Sequence, residues 1–277
     1  MSDVVNNLKV LSFKKKIFLC VGIIVLLGFG YNAYHWFDGL TQNRIGYLYS
    51  NGIILNKNDI ASFKWFERSA AKGNLKGISN LGSRYYYGLG VNRNLDKAIE
   101  LVERAAEQGD SNAQTNLGII YLNDQKDYEK AFIWLTRASE NGQAHAINNL
   151  GTLYNYGLGV KKNEAEGFRL HKKAAEQKIA CALYNLAVDY ETGRGTDKNM
   201  QMAVKVYSQA ASAGSPEAQY DLGIMYFDGK GVPQNNQKAF ELFNMAAAQN
   251  HQKAKAMLPV VKTLIKSQSS TNPQKNP

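Results

Sequence analysis

Two cysteines and five prolines are all that this 277-residue sequence contains of either residue. Cys20 lies inside an apolar N-terminal stretch and Cys181 far along the chain, so no disulfide framework holds the fold and packing must stabilise it. With so little proline, and with Ala, Leu, Tyr, Asn and Gly abundant, the composition disfavours a β-sandwich and suits helices joined by short glycine turns. There is no Asn-x-Ser/Thr sequon and no long basic block. The net charge of +10 comes from scattered lysines and arginines, which read as a solvated face that tolerates acidic partners and anionic membranes. Nothing in that distribution marks a nucleic-acid surface. The four histidines, His35, His145, His171 and His251, carry no metal-ligand spacing, so neither a metal nor a cofactor is expected.

One long apolar run is present. Residues 17–30 read IFLCVGIIVLLGFG without a charge, and Tyr31, Tyr34, Trp36 and Phe37 follow as an interfacial aromatic belt would. Residues 17–37 are long enough to cross a bilayer core, which takes about 20 residues. They are expected to be a transmembrane anchor after a cytoplasmic leader, residues 1–16. Gly28 and Gly30 also stand where a signal peptidase would require small residues, so a cleaved signal is the alternative. Lys14, Lys15 and Lys16 precede the run, while the first charge after it is Asp38. The positive-inside rule then places the N-terminus in the cytoplasm and everything downstream outside it, in the periplasm of a Gram-negative cell.

The strongest signal is internal repetition. A Leu-Gly-like pair followed by Tyr recurs at Ile45-Gly46 with Tyr49, Leu81-Gly82 with Tyr85, and Leu117-Gly118 with Tyr121. It continues at Leu150-Gly151 with Tyr154, Leu186-Ala187 with Tyr190, and Leu222-Gly223 with Tyr226. Successive units are 36, 36, 33, 36 and 36 residues apart. Leu and Tyr four apart share one helix face, and the small residue beside Leu admits a second helix. A glycine turn follows, as in Gly88-Leu89-Gly90, Gly157-Leu158-Gly159, Gly193-Arg194-Gly195 and Gly229-Lys230-Gly231. Asn58, Asn94, Asp127, Asn163, Asn199 and Asn235 then form a column of N-caps for the second helix. That helix ends on a pair of small residues, Ala105-Ala106 for example, and stops at Gly73, Gly109, Gly142 and Gly214, with Lys178 and Asn250 in the same place in units four and six. Unit three loses three residues and both turn glycines, which predicts a tighter connection there.

These units resemble the Sel-one-like repeat family, a branch of the tetratricopeptide-like helical repeats. Unit six is a close example, with Ala218 to Tyr226, Gly229-Lys230-Gly231-Val232-Pro233, Lys238-Ala239 and Ala246-Ala247. The likeness covers about residues 41–250. It implies an all-α, right-handed superhelical solenoid of six helix pairs. Residues 38–265 would form this solenoid with a capping helix over 251–265, and residues 266–277 a disordered polar tail.

The resemblance also implies that the first helix of each pair lines a concave groove. By register that surface carries Asn80, Asn116, Asn149 and Asn185, with Tyr184 and Tyr220 one position earlier, Ile119 and Ile224 after the small residue, and Tyr86, Leu122 and Phe227 after the Tyr. An Asn column can bond a partner's main chain whatever its sequence, and aromatic anchors flanked by amides suit protein or peptide binding. The same column can equally tie neighbouring helices together, and the apolar members can be core.

The expected function is a membrane-anchored interaction module or adaptor that binds a protein or peptide of unknown identity. The alternative, which the resemblance suggests, is an immunity protein neutralising a periplasm-acting toxic effector such as a lipase. Ser69-Ala70-Ala71-Lys72 and Ser12-Phe13-Lys14-Lys15 match a Ser-x-x-Lys nucleophile pattern, but its Ser-Asp-Asn and Lys-Thr-Gly partners are absent. A cell-wall or β-lactam hydrolase is therefore the least favoured reading, and no catalytic residue is assigned.

Overall fold

The computed structural model describes residues 38–52 and 55–270. Within them the chain forms thirteen α-helices and no strand. The first helices of the six pairs (A helices) are α1 (Gly39–Asn51), α3 (Leu75–Tyr87), α5 (Ser111–Ile120), α7 (Ala144–Tyr156), α9 (Ala180–Thr192) and α11 (Pro216–Asp228). The second (B) helices are α2 (Asp59–Ala71), α4 (Leu95–Glu107), α6 (Tyr128–Glu140), α8 (Glu164–Ala175), α10 (Met200–Ser212) and α12 (Asn236–Ala248). The last helix, α13, runs Gln252–Ser270, past Ile265 where the sequence reading ended it, so the first residues of the expected tail are helical. The proposed anchor, residues 17–37, lies outside the described residues, as does residue 271 onward. Among the described residues no helix is long and apolar enough to cross a membrane.

Each boundary has a local cause. All six residues of the cap column accept a backbone N–H three residues on, from Ala61, Lys97, Lys130, Glu166, Met202 and Lys238, at 2.9–3.1 Å. In the five repeats with a full turn, the cap residue's own N–H donates to the carbonyl of the repeat Tyr: Tyr49, Tyr85, Tyr154, Tyr190 and Tyr226. The Tyr therefore fixes the path between A and B with its backbone, while its side chain packs. Repeat three takes another route. A single π-type turn, Tyr121–Gln125, follows α5, and Lys126 in a left-handed conformation leads directly to the cap Asp127.

The two glycines of the turn do different jobs. Gly157 ends α7 at φ +67°, and the nearest atoms a Cβ there would meet belong to Lys162, the first at 3.1 Å. Gly159, at φ +65°, is pressed against the first residue of α6, so that a Cβ would lie 2.1 Å from the Tyr128 carbonyl oxygen. Gly90 sits likewise on Asp59 and Gly195 on Glu164. The second glycine is thus the point where one repeat's turn docks on the start of the preceding repeat's B helix.

The chain divides into two compact units, one ending at Ile120 and the other beginning at Tyr121. Inside each, an A helix packs on its own B helix and each B helix on the A helix that follows. The A–B contact is close because the small residue of the repeat faces a side chain of helix B. Built Cβ atoms on Gly46, Gly82, Gly151 and Gly223 would come within 2.5–2.7 Å of Phe66, Val102, His171 and Phe243. The B-to-next-A contact carries edge-on aromatic pairs, Phe63 with Tyr85 in the first unit and Phe132 with Tyr154 and Phe168 with Tyr190 in the second. The second unit ends under α13, where Phe243, Ala246, Ala254 and Val261 are fully buried.

Candidate binding face

Consecutive A helices within a unit also touch each other, as α1–α3–α5 and α7–α9, and α11 touches α13, while α9 meets α11 through the Tyr184 hydroxyl on Asp221. All eleven side chains assigned from sequence are half-buried, Asn80, Tyr86, Asn116 and Ile119 in the first unit and Leu122, Asn149, Tyr184, Asn185, Tyr220, Ile224 and Phe227 in the second. The Asn column joins helix to helix. Asn80 donates to Asn43 Oδ1 at 2.8 Å, Asn116 to Ser83 Oγ at 2.8 Å and Asn185 to Asn148 Oδ1 at 2.9 Å, while Asn149 turns back to the His145 carbonyl of its own helix. Each such bond uses one of the four hydrogen-bonding positions of an amide, leaving capacity toward solvent. In the first unit Tyr86 and Ile119 flank Asn116 and Ser83 around a shallow cleft, with the Arg93 guanidinium over the Tyr86 ring. Leu122 belongs to the π-type turn rather than to a regular A helix. Tyr220, Ile224 and Phe227 rest on the Phe243 core, so their inner sides are core packing.

The ladder changes chemistry at α11. Asp221 stands where four other repeats carry Asn and the first carries Arg44, and it accepts the Tyr184 hydroxyl at 3.0 Å. Burial pushes its carboxyl up from the ordinary Asp value, against the lowering effect of that hydroxyl. Beside it Glu191 accepts the Tyr207 hydroxyl and the Lys230 ammonium, each at 2.7 Å. Burial pushes the Glu191 carboxyl up, but the Lys230 and Tyr207 bonds outweigh it and hold the group below the usual range. Burial, followed by these carboxylates, raises both tyrosines, so they stay hydroxyl donors at any ordinary pH.

A second polar group lies behind the face. His171 Nδ1 is 2.6 Å from Asp189 Oδ2, with both residues buried, and Asn155 Nδ2 donates to Asp189 Oδ1 at 3.3 Å. The sequence reading missed this pair, yet a signal existed. His171 occupies a column otherwise filled by Phe66, Val102, Leu135, Tyr207 and Phe243, and Asp189 one that elsewhere holds Leu48, Arg84, Ile120, Leu153 and Met225. Neither remaining described histidine joins a ligand set: His145 lies 3.6 Å from the Cys181 sulfur, and His251 stacks on Tyr220. No cluster of metal-ligating side chains occurs among the described residues. The Ser69 hydroxyl is buried and donates to the Gly39 carbonyl at 2.5 Å, tying α2 to α1 rather than presenting a nucleophile.

Capped helix pairs stacked through small residues, with an amide and aromatic surface on their A helices, define a helical-repeat protein of the scaffold class. Six consecutive segments, residues 40–74, 76–110, 111–143, 144–178, 182–215 and 216–251, match the Sel1 repeat, and the chain belongs to that family. Sel1 repeat proteins are scaffolds that bind protein partners, and no catalytic family is matched. Among solved structures, a Sel1 repeat protein from Oxalobacter formigenes is 31% identical over 76% of this chain and 88% of its own, with a TM-score of 0.65. A putative Sel1 repeat protein from Klebsiella pneumoniae shares 20% identity over 72% of this chain and 99% of its own, with a TM-score of 0.54. An immunity protein from Pseudomonas aeruginosa shares the fold at 20% identity and a TM-score of 0.55, over 76% of this chain and 81% of its own. No curated protein sequence matches the chain.

Proposed function

We propose that this protein is a membrane-tethered adaptor whose A-helix face holds a protein or peptide partner on the outer side of the inner membrane. The observation that carries the binding role is the face itself: a surface of half-buried amides and aromatic rings, with hydrogen-bonding capacity left over after the helices have been joined. The tether and its orientation rest on the apolar run of residues 17–37 and on Lys14, Lys15 and Lys16 before it. A second reading, an immunity protein for an effector acting in the periplasm, is favoured by that outward-facing placement. The Pseudomonas immunity protein supports it through the fold alone.

The test is affinity capture with the tagged full-length protein from detergent-solubilised membranes, beside the Asn116→Ala/Ile119→Asp double variant. The expected outcome is a partner that disappears with the double variant while circular dichroism shows unchanged helicity. A partner retained by the double variant, or loss of helicity in it, overturns the assignment of this face. The captured protein's identity separates adaptor from immunity protein: a toxic effector whose activity this chain suppresses supports the second reading.

A further inference from the structure

We infer that the cleft between α9, α11 and the start of α13 receives an arginine side chain of the bound protein, an inference that rests on the protein-binding role of the A-helix face. The cleft has a volume of about 350 Å³ and is lined by Tyr184, Glu217, Tyr220, Asp221, His251, Gln252 and Lys253. It lies wholly inside the second unit. Its floor is the one place where the amide ladder becomes a carboxylate.

Asp221 is half-buried, receives one hydroxyl from Tyr184, and has no ion-pair partner among the described residues. A carboxylate drawn partly out of water favours a cation that returns hydrogen bonds to it. Glu217 stands exposed at the mouth with the same sign of charge. The aromatic walls are already fixed. Tyr220 is stacked on His251 at 4.8 Å and leans on Phe243 at 5.7 Å, and Tyr184 lies 5.9 Å from Tyr207. A carboxylate beside rigid rings matches a guanidinium, which is planar, bonds carboxylates through a two-pronged fork and stacks on aromatic faces. An ammonium is a compact, strongly hydrated point charge and gains less from such walls.

Two cleft residues can oppose a cation. His251 Nδ1 accepts the Ala254 N–H at 3.2 Å, so the ring caps α13. Lys253 is exposed on the first turn of α13 and faces the mouth. In a chain of net charge +10 this acidic, aromatic cleft does not steer a basic partner from a distance. It selects one side chain after contact.

The experiment is ligand-observed NMR titration of the full-length protein with three probes, Nα-acetyl-arginine amide, its lysine analogue and its uncharged citrulline analogue. The arginine probe should bind about fivefold more tightly than the lysine probe, and the citrulline probe should give no saturable binding. Asp221→Asn installs the residue that four other repeats carry, which keeps the fold, and should weaken the arginine probe about tenfold. Lys253→Ala should strengthen it two- to threefold, by roughly the effect of one exposed like charge. Equal binding of citrulline, binding of lysine as tight as arginine, or an Asp221→Asn protein that binds like wild type each overturns the inference. The same variants in the capture experiment keep the two levels apart. A partner lost with Asn116→Ala/Ile119→Asp but held undiminished by Asp221→Asn removes the arginine site and leaves the binding face standing.

Discussion

Removing the Asp189 carboxylate should be among the most damaging single changes away from the glycines. In Asp189→Ala, His171 Nδ1 and Asn155 Nδ2 lose their acceptor in a buried place, since His171 is 2% and Asp189 0% exposed, and the partly exposed Arg194 guanidinium loses a carboxylate 3.9 Å away. A buried polar group left without a partner costs about 1–3 kcal/mol, and breaking a buried pair about 3–5 kcal/mol, so the expected loss is about 4 kcal/mol. The repeat itself suggests the compensating change. Phe66 lies on Gly46 and Phe243 on Gly223 as His171 lies on Gly151, and Leu153 occupies the Asp189 column one repeat earlier. The double variant His171→Phe/Asp189→Leu replaces both partners with apolar groups and should recover to within about 2 kcal/mol of wild type, the remainder being the stranded Asn155 amide and the lost ion pair of Arg194. Urea unfolding followed by circular dichroism at pH 7 measures both, with Glu166→Gln as control. That residue's bond to Arg169 is exposed and should matter by less than about 1 kcal/mol. An Asp189→Ala loss below about 1 kcal/mol, or a double variant as unstable as the sum of its single changes, would refute the reasoning.

Two other perturbations follow from the turns. Gly157→Ala should cost about 1 kcal/mol, the price of a left-handed Cβ alone, whereas Gly159→Ala adds a collision with the Tyr128 carbonyl oxygen and should cost at least about 3 kcal/mol; thermal unfolding of the two variants ranks them, and equal losses would mean that the turn does not dock on α6. Lys178 holds φ +57° where four other repeats have glycine, so Lys178→Gly should raise stability by about 0.5–1 kcal/mol, read as a higher melting temperature.

How far the sequence could be read depended on whether a position repeats. The cap column and the Leu-Gly-Tyr register recur every 36 residues, or 33 into or out of the shortened third unit, and the turn glycines recur outside that unit, because each solves a local problem of the helix pair: an orphan N–H, a left-handed turn, a close helix crossing. Such positions announce their structure through recurrence, and even the shortened third connection was visible as missing residues. The Asn column was legible as a face but ambiguous in role, because one amide can both tie helices together and offer further bonds outward. What recurrence concealed was the content of its exceptions. Asp189, His171 and Asp221 each replace the residue type of their column. From sequence, nothing told that the first two lie in different repeats yet meet at 2.6 Å, or that the third meets a tyrosine hydroxyl from the preceding A helix. Stacking brings together residues some 18 to 37 positions apart, so two departures in neighbouring repeats become one chemical group. In a repeat chain the consensus therefore reports the scaffold and the departures report what distinguishes this member. That is why the arginine cleft is placed at Asp221, where the ladder breaks, and not along its regular part.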